Sequence, residues 1–365
     1  MSGKNREVGR IGELRLRLLE WYDQNQRDLP WRRTRDPYAI WVSEIMLQQT
    51  RVAVVVERFR AFMERFPTVN SLACAPEQDV LALWSGLGYY RRARMLHKAA
   101  QIVVGDLHAV LPTTAEGLNN LPGIGAYTSA AIASIAHDEC VAVVDGNVER
   151  VLCRLQGWGA SERTAHAASK RNVGTFADAF IEPARPGDFN QALMELGATV
   201  CLPRNPHCLA CPLAAECCTL GEHKKPVRPA MSSKEVAFAL VMRTHRESGF
   251  VREELLLEQR LASNSVMPEM WELPPLRDSE VPVQELRMTV RHAIMQINYI
   301  VHVRTVSERD FEGMTDSQGR RRWVSVNDAS GMALTGLTRK VLSRARLLPK
   351  SSRASIAPTP ATVVS

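Results

Sequence analysis

Four cysteines fall within seventeen residues, Cys201, Cys208, Cys211 and Cys217, in the spacing C-x6-C-x2-C-x5-C. Thiolates are soft anionic ligands, and Pro203, Pro206 and Pro212 bend the chain between them, so four sulfurs can converge on one metal centre. The remaining cysteines, Cys74, Cys140, Cys153 and Cys218, show no matching framework, which favours a built site over a set of disulfides. Cys208-x-x-Cys211 alone would be ordinary for a structural zinc ion, and the residues by themselves leave the metal open.

Two carboxylates stand where acid–base chemistry could use them. Glu44 lies among Val42, Ile45, Met46 and Leu47, and apolar surroundings raise a carboxyl pKa and keep it protonated near neutral pH, as a general acid requires. The plainer alternative is an exposed Glu paired with an arginine. Asp145, in Val143-Val-Asp-Gly-Asn-Val148, stands at the start of a helix, where an Asp is most often an N-cap. Between them, Leu121-Pro-Gly-Ile-Gly-Ala-Tyr127 puts Gly123 and Gly125 in a tight turn that opens onto a helix of small residues. Such a turn can present backbone N–H groups to a phosphate, or it can be a plain helix–turn–helix joint.

These residues need a scaffold, and the chain is long enough for two domains. Its 365 residues are 45% hydrophobic and 23% charged, ordinary values for a soluble globular protein. No apolar run approaches the roughly eighteen residues of a membrane span, and the opening residues are polar, which predicts a cytoplasmic protein with no membrane association. A net charge of +7 modestly favours a polyanionic partner. Helical periodicity predicts helices over 14–22, 39–66, 76–83, 91–105, 128–136 and 147–155. A polar, proline-containing linker follows at 221–234; strands are predicted at 236–242, 254–259, 296–303 and 322–326, and a closing helix at 338–348. The expected organisation is a mainly α domain over 1–220 that includes the cysteine loop, an α+β domain over 235–348, and a disordered tail over 349–365.

The blocks Leu29-Pro-Trp-Arg32, Ser43-Glu-Ile-Met-Leu-Gln-Gln-Thr50, Leu83-Trp-Ser-Gly-Leu-Gly-Tyr-Tyr90, the 121–151 stretch and the cysteine loop occur in one order. Together they resemble the MutY-type adenine DNA glycosylases of the endonuclease III and helix-hairpin-helix superfamily, over nearly all of residues 12 to 218. The resemblance implies a [4Fe-4S] cluster on Cys201, Cys208, Cys211 and Cys217. It implies Glu44 as the acid that protonates adenine and later activates water, Asp145 as the group that stabilises or traps the sugar cation, and Tyr127 and Asn147 as their orienting partners. Arg27, Leu29, Trp31, Arg32, Val52 and Glu195 would surround the extruded base, while Gln49, Thr50, Leu87 and Tyr89 would fill the duplex opposite it and Gly123 and Gly125 would hold the backbone. Arg91, Arg92 and Arg94 are read as phosphate contacts or solvated charge. Where strand-nicking relatives carry a lysine able to form a Schiff base, this chain has Tyr127, which implies a monofunctional enzyme that leaves an abasic site. The implied partner is double-stranded DNA with adenine opposite 8-oxoguanine or guanine, bound by a monomer.

Residues 235–348 resemble the Nudix-like C-terminal domain of the same family through Leu255-Leu-Leu-Glu-Gln-Arg260, Met270-Trp-Glu-Leu-Pro274 and Arg322-Trp-Val-Ser-Val326. The catalytic Nudix acid motif is absent, so the domain reads as a DNA clamp. The family's Phe-Ser-His turn, which faces 8-oxoguanine, is replaced here by Ile294-Met295-Gln296, with Gln296 or Asn298 as the substitute contacts. Competing readings are a thymine glycosylase for T:G mismatches, a non-catalytic iron–sulfur DNA-binding protein and a Nudix hydrolase.

Overall fold

The computed structural model describes residues 3–158, 165–222, 231–247, 250–264, 266–279, 281–294, 297–315, 317 and 319–348. The chain forms two compact units, Met1–Pro229 and Ala230–Ser365. Most of the expected linker, the expected tail, and both Met295 and Gln296 lie outside the described residues.

The first unit is helical: α1 (Gly3–Asn25), α2 (Pro37–Leu47), α3 (Val52–Arg65), α4 (Val69–Ala73), α5 (Glu77–Leu83), α6 (Arg91–Asp106), α7 (Ala115–Asn119), α8 (Ala126–His137), α9 (Gly146–Gln156), α10 (Ala165–Phe180) and α11 (Pro186–Thr199). One core joins α1, α9, α10 and α11 through Leu18, Leu152, Phe180, Phe189 and Leu196, with Cys201, Cys211 and Cys217 packed against it. Trp41, Phe62, Leu72 and Trp84 are buried in the helices before the hairpin, with the Phe62 ring edge-on to Trp84 at 6.0 Å. Among the described residues no helix is long and apolar enough to cross a membrane.

The single helix expected over 39–66 is two. The chain breaks between Leu47 and Val52, where Gln49 takes a left-handed φ of 55° that a non-glycine residue adopts only at a cost of about 1 kcal/mol or more. Neither glycine nor proline marks this break in the sequence; the side chain of Arg92 donates to the carbonyls at the frayed end of α2 instead. Helices α10 and α11 also go beyond the helices expected from the periodicity.

The second unit is α+β. Its strands are β1 (Ser232–Glu247), β2 (Phe250–Gln259), β3 (Trp271–Glu272), β4 (Leu286–Ile294), β5 (Ile297–Val306) and β6 (Arg320–Ser325), with helices α12 (Glu308–Phe311) and α13 (Gly336–Arg344). The order is β3-β2-β1-β5-β4, and β6 adds to β2. Strand β1 runs parallel to β5 over its first ten residues, Val236 opposite Val301, then antiparallel to β2, Met242 opposite Leu255. Both faces of β1 are covered: Leu240 packs with Leu255, Val301, Val341 and Leu342, whereas Ala239 and Val241 pack with Leu256 and Phe311. The period-2 alternation of strands therefore separates two small cores. Strand β4 escaped the sequence reading because only Val290 in it is fully buried, although Leu286, Met288 and Val290 alternate with Arg287, Thr289 and Arg291.

Helix α11 approaches α9 closely because Gly197 has no side chain; a Cβ there would lie 2.6 Å from the Cβ of Asn147. Gly197→Ala should therefore cost about 1–3 kcal/mol of stability in urea unfolding followed by far-UV circular dichroism. A control such as Gly12→Ala, with nothing within 4 Å, should cost little.

Candidate active site and cysteine centre

An open cavity of about 670 Å³ in the first unit collects residues from five separate stretches. Asp36 caps α2 by accepting from the Tyr38 N–H, and Pro37 occupies its first turn. This helix is apolar nearly all round, and it carries Glu44 into the cavity wall with only 5% of its surface exposed. A tight turn over Pro30–Arg32 supplies Trp31 and Arg32, with the Trp31 ring edge-on to Phe59 at 5.4 Å. Helix α8 begins at Gly125 and delivers Tyr127 within its first turn.

Among the described residues Glu44 pairs with no arginine; its Oε2 accepts a 2.8 Å hydrogen bond from the Tyr127 hydroxyl, which also lies 3.4 Å from the Met194 sulfur. Burial pushes the Glu44 carboxyl up to about 7. The Tyr127 hydrogen bond and the charge of Arg32 oppose that rise, and the charge of Asp145 adds to it. Burial and the carboxylates beside it raise Tyr127 well above the usual phenol range, so it stays a donor.

Asp145 is the N-cap of α9. Its Oδ1 accepts from the backbone N–H groups of Asn147 at 2.8 Å and Val148 at 2.7 Å, and its Oδ2 accepts from Asn147 Nδ2 at 2.9 Å. The capping reading and the placement in the cavity hold together: the helix N-terminus that needs an acceptor turns a carboxyl group toward the same space as Glu44. Asn147 is fixed in turn by Arg150, whose Nη2 donates to Asn147 Oδ1 at 2.9 Å and to the Gly197 carbonyl at 2.7 Å, while its Nε donates to the Cys201 carbonyl at 2.8 Å.

The far wall is an ion cluster. Glu195, 1% exposed, receives Arg27 through both oxygens at 2.6 and 2.8 Å and Arg32 at 2.8 Å. Burial disfavours its charge, but the two guanidinium groups outweigh burial and hold its carboxyl below the usual range. Leu29, Val52 and Thr50 also line this cavity. Sequence reasoning missed Gln191, Met194 and Ala198, which line it from α11 beside Glu195. Their spacing of i, i+3, i+4 and i+7 is the signal of one helical face and could have found them.

A second cavity of about 380 Å³ is lined by Gln49, Tyr89 and Gly123 together with Arg91, Arg92 and Met95. Leu87 is buried and contributes to this region through its carbonyl, which accepts from Thr50 and Arg92. Arg94 pairs with Glu77 at 2.8 Å, and Arg92 is held by backbone carbonyls, so of the two expected roles, phosphate contact or solvated charge, neither residue fits the second. Gln296 lies outside the described residues; β4 and β5 flank it, with Ile294 opposite Ile297 and Asn298 opposite Ala293.

Cys201, Cys208, Cys211 and Cys217 line one small cavity with Arg154. Arg154 is 3% exposed; its Nη1 lies 3.3 Å from Cys201 Sγ and donates to the Leu202 carbonyl at 2.7 Å. Burial pushes the Cys211 thiol up to about 11, and the other three cysteines add to the rise. Among the described residues no three His, Cys, Asp or Glu side chains are disposed around a single ion.

Residues 42–173 match the family model of the HhH-GPD superfamily base excision DNA repair proteins. The adenine DNA glycosylase of Rattus norvegicus is 48% identical over 220 residues, covering 58% of this chain and 42% of that protein. That of Mycolicibacterium smegmatis is 44% identical over 198 residues, covering 54% of this chain and 66% of that protein. The chain thus spans about four tenths of the length of the mammalian relatives it matches. The solved structure of a thermostable thymine-DNA glycosylase superposes with a TM-score of 0.53 at 28% identity, over 60% of this chain and 99% of that one.

The raised Glu44 pKa carries a stability signature. The folded state binds a proton between pH 4.5 and about 7 that the unfolded chain releases, so this stabilising contribution is complete below pH 4.5 and lost as pH rises through 7. Glu44→Gln, neutral at every pH, should exceed the native chain in stability by up to about 3 kcal/mol near pH 8 and match it near pH 4, read by urea unfolding at both. A constant difference across pH would show that Glu44 is not buried as described.

Proposed function

We propose that this chain, whose residues 42–173 match the family model of the HhH-GPD base excision DNA repair proteins, is a monofunctional adenine DNA glycosylase, acting on adenine opposite 8-oxoguanine or guanine in duplex DNA. The observation that carries the reading is Glu44, a buried carboxyl raised to about 7 and bonded to Tyr127, in one cavity with the helix-capping Asp145. The curated relatives named adenine DNA glycosylase support it.

Hydrolysis of an N-glycosidic bond needs a proton for the departing base and a negative charge for the sugar as it becomes cationic, the division of labour of paired carboxyls in glycoside hydrolysis. A base must first leave the stack to reach a cavity of this kind. Once it enters, Glu44 protonates a ring nitrogen and weakens the bond to the sugar. The cation that develops faces the carboxylate of Asp145, held at its angle by Asn147 and the first N–H groups of α9. Glu44, now ionised and stabilised by the Tyr127 hydroxyl, accepts a proton from the attacking water. Arg27, Arg32 and Glu195 form a rigid polar wall against the base edge. The product keeps an intact abasic sugar, because Tyr127 has no amine with which to attack it. The turn of Gly123 and Gly125 offers N–H groups at the start of α8 to a phosphate, and the bound partner is double-stranded DNA, taken by one copy of the chain.

The four cysteines, all lining one cavity, would hold a [4Fe-4S] cluster, whose cationic iron would offset the mutual repulsion of their half-buried thiolates. The cluster would join α9 and α11 to the loop that follows them, a structural role. Residues 235–348 are read as a Nudix-like DNA-recognition domain. A second reading, thymine release opposite guanine, draws on the structural likeness to a thymine-DNA glycosylase.

Two measurements test these readings. Single-turnover release from duplexes with A opposite 8-oxoguanine, A opposite G, A opposite T and T opposite G, with and without alkali, should show adenine release with strand breaks only after alkali. Glu44→Gln should lower that rate by about a thousandfold or more while leaving duplex affinity within a few-fold. Thymine release would select the second reading, and strand breaks without alkali would remove the monofunctional assignment. Separately, the purified chain should contain iron and acid-labile sulfide in equal amounts, and Cys208→Ala should lose both; zinc without sulfide would refute the cluster.

A further inference from the structure

Arg92 is a partly buried guanidinium without a carboxylate: among the described residues no acidic side chain pairs with it, and burial lowers its pKa to about 10. Burying a cation this way is expensive unless its donors are met, and here the donors on Nη1 and Nη2 are met by the ends of two loops, while Nε has no partner among the described residues. Its Nη1 donates to the carbonyls of Ile45 at 2.5 Å, Met46 at 3.2 Å and Gln48 at 2.6 Å, the frayed end of α2. Its Nη2 donates to the carbonyls of Leu87 and Gly88, each at 3.1 Å, and to Thr50 Oγ1 at 3.3 Å. The guanidinium also lies 5.6 Å from the centres of the Trp84 and Tyr89 rings.

Each of the two loops contains one non-glycine residue in the left-handed region, Gln49 at φ 55° and Tyr89 at φ 48°. Both side chains line the 380 Å³ cavity, opposite Gly123 of the hairpin turn at φ 79°, and Tyr89 is 52% exposed. Left-handed backbone at such residues relaxes unless its surroundings hold it. One planar, forked group between the two loops is what holds both at once. A lysine cannot replace it, since a single ammonium nitrogen cannot reach carbonyls on both sides.

We propose that Arg92 is a positioning residue that locks the Gln49 and Tyr89 turns in register and thereby sets discrimination of the base opposite the extruded adenine. It acts through those two side chains, rests on the glycosylase reading above, and touches neither the substrate nor Glu44.

The test is a mutant cycle on the full-length, cluster-containing protein, reading the ratio of single-turnover adenine release opposite 8-oxoguanine to that opposite G. Arg92→Lys should reduce this ratio by about tenfold in the native background and by less than about twofold when Gln49 and Tyr89 are both already alanine, because coupled residues are non-additive. Fluorescence of 2-aminopurine placed opposite an uncleavable adenine analogue should rise in Arg92→Lys, as stacking on Tyr89 is lost, with iron content retained. An equal loss in both backgrounds, or an unchanged ratio with unchanged fluorescence, overturns the proposal. No adenine release by the native protein would instead overturn the glycosylase reading, and the fluorescence comparison then still decides whether Arg92 orders the two turns. Should Arg92→Lys fold poorly, Thr50→Val removes one of the bonded acceptors and should shift the ratio in the same direction by a smaller factor.

Discussion

A carboxyl group in an apolar helix is the constraint from which the rest of the first unit follows. Helix α2 is buried almost all round, and among the described residues Glu44 is hydrogen-bonded at that depth by a hydroxyl reached across a second helix, that of Tyr127. To bring the two side chains to 2.8 Å, α8 has to start at the hairpin turn and present its first residues, instead of its middle, to α2. Burial that would be a liability in a structural residue keeps this carboxyl protonated near neutral pH, while one hydroxyl keeps the ionised form within reach. A group balanced in this way can give a proton and take one back.

The second carboxyl is controlled by a different device. Asp145 satisfies the open end of α9, and Asn147 and Arg150 continue that support to Gly197 and to the carbonyl of Cys201. The loop of four cysteines and the N-terminus of α9 therefore belong to one polar network, and the close approach of α11 at Gly197 makes it possible. Two arginines, Arg150 and Arg92, do comparable work. Each has its donors spread over backbone carbonyls from separate stretches, which joins stretches that pack too few apolar groups to fix one another.

Much of the site was legible in the sequence because its parts are local. A four-cysteine spacing, an acid inside an apolar helix, an aspartate one residue before a helix and two glycines before another are each written within seventeen residues or fewer. Helices with strong 3.6-residue periodicity were legible for the same reason. The break between α2 and α3 was not, because Gln48-Gln-Thr-Arg51 contains no glycine or proline and the agent that ends the helix lies more than forty residues away. The edge strand β4 was missed because its alternation is diluted by long polar side chains and a single residue in it is fully buried.

Which groups the chain offers was readable from the residues alone: four closely spaced thiols, two carboxyls, a phenol at Tyr127, and a change of periodicity after the helical half. Tertiary structure decided which of these groups act together. It paired Glu44 with Tyr127 instead of an arginine, placed Glu195 between two guanidinium groups, withdrew Leu87 into the interior, and turned Arg92 from a surface charge into the clasp of two loops. The physical reason is that a side chain's protonation and partners depend on how much water it has lost and which distant groups replace that water, and neither is encoded within a short window of chain.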